Sequence, residues 1–295
     1  MIFEVISKLA SEGLLSLYPI FVKNIGLPLS LQTWSRCFSY AVISGFFIDY
    51  AFVLNSLFTY SGIMLSFVTI VHIYTSYRGF ELLESGVAYS IFYLYPIMIL
   101  LMSGHKIHSV MLLSLVGVYL LASKDTNFFS KDKSCFSKDT SFFSKDTSFS
   151  QIVDNKKANS DTMVGVAMIG IAAFTEAVIY FLIRDIKTMN NWNHIFISYF
   201  LGAILLTWYF FDNIRGMKWN ERLSMSLGIN SLIGLIGYLL RFYAVSRLDT
   251  MVYAPLSYFG IVMSFIYGIF IGGDSIDLKK IVGAGLIIFS NLWLL

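Results

Sequence analysis

Residues 237–295 read GYLLRFYAVSRLDTMVYAPLSYFGIVMSFIYGIFIGGDSIDLKKIVGAGLIIFSNLWLL. An apolar run carrying Arg241 stops at a polar corner, Ser246-Arg247-Leu248-Asp249. A second apolar run with Pro255 follows, then Gly272-Gly273-Asp274, and a last apolar run reaches Leu295. About 20 apolar residues cross a bilayer core, and only a helix or a closed barrel satisfies its own backbone there. Long apolar runs divided by short polar corners therefore predict membrane-spanning helices joined by tight turns.

Working outward, the composition agrees. The 295 residues are 57% hydrophobic and 13% charged, about half the roughly 25% charge of a soluble domain, and the mean hydropathy is +0.71. The net charge of +3 and the lack of a basic stripe argue against nucleic acid as a partner. The start, Met1-Ile2-Phe3-Glu4, has neither a basic segment nor a small-residue cleavage site, so no cleaved signal peptide is expected. Cys37 and Cys135 form no disulfide framework and no metal spacing. Motifs for a hydrolase elbow, a Walker loop or a zinc protease are missing. The expectation is a non-enzyme without cofactor or metal, whose pumping would draw on a gradient or an exchange.

Ten spans are expected near residues 3–23, 30–50, 57–77, 84–103, 108–122, 162–183, 192–211, 225–246, 250–271 and 279–295. The third and fourth, and the eighth and ninth, are expected to pack most tightly. Between the fifth and sixth lies a segment, 123–161, with the repeats SKDTNFF, SKDKSCF, SKDTSFF and SKDTSFS. The period is seven, but no apolar seam persists, so a flexible low-complexity linker is expected rather than a coiled coil. The chain thus divides into 1–122, 123–161 and 162–295.

The two halves echo each other. Ala10-Ser11-Glu12 with Tyr18 and Lys23 parallels Phe174-Thr175-Glu176 with Tyr180 and Arg184. Gly104-His105-Lys106-Ile107-His108 parallels Gly273-Asp274-Ser275-Ile276-Asp277. An odd number of helices per half reverses the entry side of the second copy. This predicts an inverted repeat with a site near the midplane.

The order of parts resembles an EamA-type carrier of the drug/metabolite transporter (DMT) superfamily. The resemblance is carried by the corner Ala244-Val245-Ser246-Arg247-Leu248, the helix end Gly273-Asp274, and a Gly-rich last helix with Gly283 and Gly285. Two features depart from the pattern. The acid after Gly273 is Asp rather than Glu, and Pro255 sits earlier than the usual proline. The resemblance implies ten transmembrane helices in two five-helix repeats and transport of a small metabolite by alternating access. It also implies a multi-pass protein of the cytoplasmic membrane with both termini inside. The positive-inside rule points the other way: Lys23, Arg78, Arg215, Lys218, Arg222, Lys279, Lys280 and the linker lysines fall opposite the termini, against Lys106, Arg184, Lys187 and Arg247 on the terminal side. Glu12-Gly13 and Glu176-Ala177 stand where the family usually has an aromatic beside a small residue. That substitution suggests a cationic or zwitterionic substrate.

Charged groups inside apolar runs are the candidate site. A carboxylate at membrane depth costs roughly 2.5–3.5 kcal/mol and usually faces an interior cavity, which singles out Glu12 and Glu176. The competing reading puts Glu12 near an interface with Glu4 and Lys8. Arg241 lies deep in its span, and an ion pair with one of the glutamates would lower its cost. Arg36 either takes a substrate carboxylate in forked geometry or snorkels to the interface. His72 is a candidate for a proton path or a hydrogen-bonded core histidine. Tyr18, Tyr77, Tyr180 and Tyr243 are expected to shape the pocket. Tyr93, Tyr95, Tyr253 and Tyr258 lie on spans expected to line the pore, where rings either hold a cation or simply pack. The expected partners are the bilayer, a small solute (an amino acid or related zwitterion) and a coupling ion or counter-substrate. The alternatives are a sugar-phosphate or nucleotide-sugar exchanger and a non-transporting membrane scaffold.

Overall fold

The structure is a computed structural model and describes residues 2–24, 28–83, 85–105, 109–122, 147–216, 219–271 and 278–294. Among them every regular element is an α-helix. The first half contains α1 (Ile2–Leu15), α2 (Tyr18–Asn24), α3 (Leu29–Gly45), α4 (Tyr50–Leu57), α5 (Tyr60–Leu82), α6 (Ser85–Phe92), α7 (Tyr95–Met102) and α8 (Met111–Ala122). The second half contains α9 (Thr147–Asp185), α10 (Asn191–Tyr209), α11 (Phe211–Gly216), α12 (Glu221–Arg247), α13 (Thr250–Ser257), α14 (Phe259–Phe270) and α15 (Leu278–Leu294).

Helix starts follow short polar side chains that accept from the first free backbone N–H groups. Thr59 caps α5 through Gly62 N at 3.1 Å, Asn220 caps α12 through Leu223 N at 2.7 Å, and Asp249 caps α13 through Met251 N at 2.8 Å. Breaks follow proline, which lacks the N–H an inner turn needs. Pro19 sits at the α1–α2 break, Pro96 at the α6–α7 break, Pro255 just before the α13–α14 break, and Pro28 at the start of α3.

Among the described residues four stretches are long and apolar enough to cross a membrane: Ile2–Val22, Met163–Asp185, Leu223–Arg247 and Thr250–Phe270. A fifth arises if α4 and α5, bent by 83° at their junction, form one span. The outer surface is apolar, with Phe58, Trp208 and Phe270 exposed, as lipid contact requires. The chain is an integral, multi-pass α-helical membrane protein.

The packing order corrects one expectation. The closest partners are α5 with α9, α8 with α15, α1 with α12, and α3 with α10, not the sequential neighbours. Short corners bring consecutive helices side by side at their ends, whereas the broad contacts run between the halves. The linker boundary also shifts. The helix α9 begins at Thr147, so residues 147–161 are helical rather than loop. Their Gln151-Ile152-Val153 and Lys156-Lys157-Ala158 stretches hold no proline or glycine that would stop the helix before it reaches the membrane. Residues 123–146, with most of the seven-residue repeats, lie outside the described residues, as do 106–108 and 272–277 with the expected Gly273-Asp274 helix end.

Candidate functional site

The charged residues of the apolar runs converge at the centre, where α1, α5, α7, α9 and α12 meet. Glu12 is wholly buried, and Glu176, Arg241 and Arg36 are only 3%, 2% and 3% exposed. Arg241 joins the halves. Its Nη2 donates to both Glu12 oxygens at 3.1 Å, and its Nη1 donates to Glu176 Oε1 at 2.5 Å. A guanidinium presents several donors in one plane, so one side chain neutralises two carboxylates that would otherwise repel.

Glu12 has further partners. Lys8, one turn earlier on α1, donates to Glu12 Oε1 and is itself wholly buried. Tyr93 donates to Glu12 Oε2 at 2.6 Å and Tyr95 to Oε1 at 3.2 Å. The Lys8 ammonium sits 3.7 Å above the Tyr253 ring, where the ring's negative face attracts a cation. Gly260 makes the Tyr93 contact possible. A Cβ built there would lie 1.7 Å from Tyr93 Oη and 2.9 Å from Glu12 Oε2.

His72 of α5 stands behind Glu176. Its Nδ1 is 3.1 Å from the Ala172 carbonyl and 3.2 Å from Thr175 Oγ1. Its Nε2 is 3.3 Å from Glu176 Oε2 and 3.5 Å from Tyr238 Oη. Both ring nitrogens thus face an acceptor, a carbonyl on one side and a carboxylate on the other. Neutral imidazole carries only one N–H, so one added proton completes the pair of hydrogen bonds.

Arg36 of α3 occupies a second buried chamber. Its guanidinium carbon lies 4.7–5.8 Å from the rings of Tyr18, Tyr40, Tyr77, Tyr199 and Tyr238. Its Nη1 and Nη2 donate to the Tyr77 and Tyr199 hydroxyls at 3.4 and 3.2 Å. It does not snorkel, and among the described residues no carboxylate pairs with it. Between the chambers is a cavity of about 20 Å³, bordered by Arg36, Arg241, His72, Tyr18 and Tyr238. That is room for about one water, so the centre is closed in this structure. The hollow of about 700 Å³ between α3 and α10 is apolar, lined by Phe38, Phe196 and Trp208 among others.

Of the residues singled out from sequence, Glu12, Glu176, Arg241 and His72 meet in one network, and Arg36, Tyr18 and Tyr77 share the neighbouring chamber. Tyr180 is one ring removed. Its centroid is 4.9 Å from Tyr253, and its hydroxyl engages Thr250 and Arg184 at 2.8 and 2.6 Å. Tyr243 is not brought in: its ring lies under Arg247 and borders a hollow at the helix ends. Two positions along a helix turn a side chain by roughly 200°, so Tyr243 points away from Arg241, whereas Tyr238 shares its face. Lys8, Tyr40, Tyr199 and Tyr238 were not singled out. Lys8 had a signal in its i, i+4 spacing from Glu12. Among the described residues no group of three or more His, Cys, Asp or Glu gathers as a metal site.

Comparison with known proteins gives three results. Residues 163–295 match the EamA-like transporter family. No curated protein matches the chain by sequence. A solved structure described only as "Crystal structure of protein" shares the fold with a TM-score of 0.64 at 13% identity, over 98% of this chain and 95% of that chain.

Proposed function

From the premise that this chain is an EamA-type member of the DMT superfamily, as the match over residues 163–295 supports, we propose a secondary carrier with ten membrane segments in two inverted halves. It moves a small zwitterionic solute, an amino acid or a close relative, by alternating access. The helix pairing supports the repeat. Exchange α1 with α9, α3 with α10, α5 with α12, α6–α7 with α13–α14, and α8 with α15. The pairs α1·α12 and α5·α9 then interchange, as do α7·α13 and α6·α14, while α3·α10 and α8·α15 map onto themselves. A two-fold relation between the halves produces this pattern.

The observation that carries the mechanism is Arg241 held by Glu12 from one half and Glu176 from the other. Rocking the halves apart toward one side separates Arg241 from one carboxylate, and rocking the other way separates it from the other. The released carboxylate takes the ammonium of the solute, and the closed centre is the intermediate between the two openings. His72 passes a proton to or from Glu176 through the 3.3 Å contact, supplying the coupling ion. Lys8 and Tyr95 hold Glu12 in place while this happens.

Uptake of labelled amino acids into vesicles holding the purified chain tests this. Glu176→Gln abolishes transport while leaving insertion intact, and unchanged transport by that variant rejects the carboxylate role. A second reading has one observation in its favour. Buried Lys8, Arg36 and Arg241 suit an anionic substrate such as a sugar phosphate, and block of uptake by such a phosphate rather than by amino acids would favour it.

The termini face the cytoplasm in this reading, as the family pattern implies; Arg184, Lys187 and Arg247 border a hollow of about 330 Å³ on that side, but Arg78, Arg215, Arg222, Lys279 and the linker lysines fall on the opposite one. The positive-inside rule favours the reverse orientation; with the termini inside, the segment between the halves faces outward. Cys135, in the segment between the halves, should then react with an impermeant thiol reagent on intact cells. Failure to react reverses the orientation.

A further inference from the structure

Resting on the carrier reading, we infer that the tyrosine-walled chamber around Arg36 is the subsite for the carboxylate of the solute, so that the transported molecule must carry one free carboxylate. The first reason is charge. Among the described residues the buried ionic groups at the centre are Lys8, Arg36 and Arg241 against Glu12 and Glu176. Glu12 and Glu176 are engaged by Lys8 and Arg241. With His72 neutral, three cations and two anions leave one positive charge, and it resides on Arg36. A buried charge without a counter-charge is among the most costly arrangements in a protein, and aromatic rings repay only part of that cost.

The second reason is unused donor capacity around the guanidinium. Among the described residues Arg36 Nε has no hydrogen-bond partner. Tyr77 and Tyr199 accept from the guanidinium through their oxygens, so each still has a hydroxyl hydrogen to give. A guanidinium with a spare N–H, set among phenol hydroxyls, is a receptor for a small anion. One excess charge matches a carboxylate rather than a phosphate dianion.

The third reason is position. The small cavity touches both Arg36 and Arg241. Once the centre opens, a solute lying between the chambers places its carboxylate on Arg36 and answers the unpaired charge there.

The test is the thermal unfolding of the purified full-length chain in detergent, with amino acids added one at a time in millimolar excess, each against its carboxamide. At least one amino acid raises the unfolding midpoint while its carboxamide does not. Arg36→Met weakens that amino acid roughly 30-fold or more, yet raises the midpoint without ligand, because an unpaired buried charge has gone. Tyr199→Phe keeps the guanidinium and weakens the same amino acid several-fold. The assignment is overturned if no amino acid shifts the wild type, if carboxamides act equally, or if inorganic phosphate alone gives the shift. It is equally overturned if Arg36→Met lowers the ligand-free midpoint, which would make the cage a structural support for Arg36. Binding in detergent needs no transport. A carboxylate-specific shift in a protein that moves no solute would therefore leave this subsite standing and remove the carrier reading.

Discussion

Two arginines lie at the centre of this protein, and their surroundings are opposite. Arg241 is gripped by two carboxylates, one from each half. Arg36 is walled by five tyrosines and pairs with no carboxylate among the described residues. Both are excluded from solvent, so desolvation weighs on both. The difference is in what answers the charge. At Arg241 the protein supplies the counter-charge and thereby ties its halves together. At Arg36 it supplies only polarisable rings and hydroxyls, which leaves the counter-charge to come from elsewhere. One chamber locks and the other waits.

Substituting each arginine by methionine breaks this comparison most sharply. Arg241→Met strands two buried carboxylates and should destabilise by about 3–5 kcal/mol, read as unfolding in mixed micelles. Arg36→Met should move stability the other way. Equal losses at both positions would erase the distinction.

Each chamber also depends on a glycine. At Gly234 a Cβ would lie 1.5 Å from Tyr18 Oη and 1.9 Å from Tyr40 Oη, and at Gly260 it would lie 1.7 Å from Tyr93 Oη. Gly260→Ala and Gly234→Ala should each cost about 1–3 kcal/mol through overpacking. They should differ in kind: the first displaces Tyr93 from Glu12 and lowers transport at saturating solute, while the second disturbs the Arg36 cage and weakens solute binding. Comparing maximal rate with half-saturation for the two variants checks this.

A smaller effect is expected at the edge of the cage. Tyr18 and Tyr40 share a 2.7 Å hydroxyl contact, so Tyr18→Phe should cost about 0.5–1.5 kcal/mol, measured in the same unfolding assay. The smallest belongs to the segment between the halves. Removing residues 124–146 should leave vesicle uptake unchanged, and lost uptake would point to a scaffold role for that segment.

Much of the central site was legible because charge inside an apolar run is expensive and therefore conspicuous. Glu12, Glu176 and Arg241 stood out for that reason, and they meet. The prolines likewise marked the helix breaks. Lys8 was harder to read: seven residues from the start, beside Glu4, it resembles an interfacial group, and only the fold shows that it faces inward. Tyr40 and Tyr199 had no signal at all. Each is an ordinary aromatic on its own helix, and they become a wall only because α3 packs on α10. Tyr243 misled by closeness in sequence, since helical geometry turns it away from Arg241. The preference for contacts between the halves was also hidden, because turn length reports which helices follow one another and not which share a face.

The most direct test concerns access to the centre. In a chain with Cys37→Ser and Cys135→Ser, a single Ser76→Cys, at the edge of the central cavity, should react with an impermeant thiol reagent applied from either side of reconstituted vesicles, because the closed centre opens to both. A thiol at that position that reacts from neither side, or from one side only, would contradict alternating access through the shared carboxylate centre.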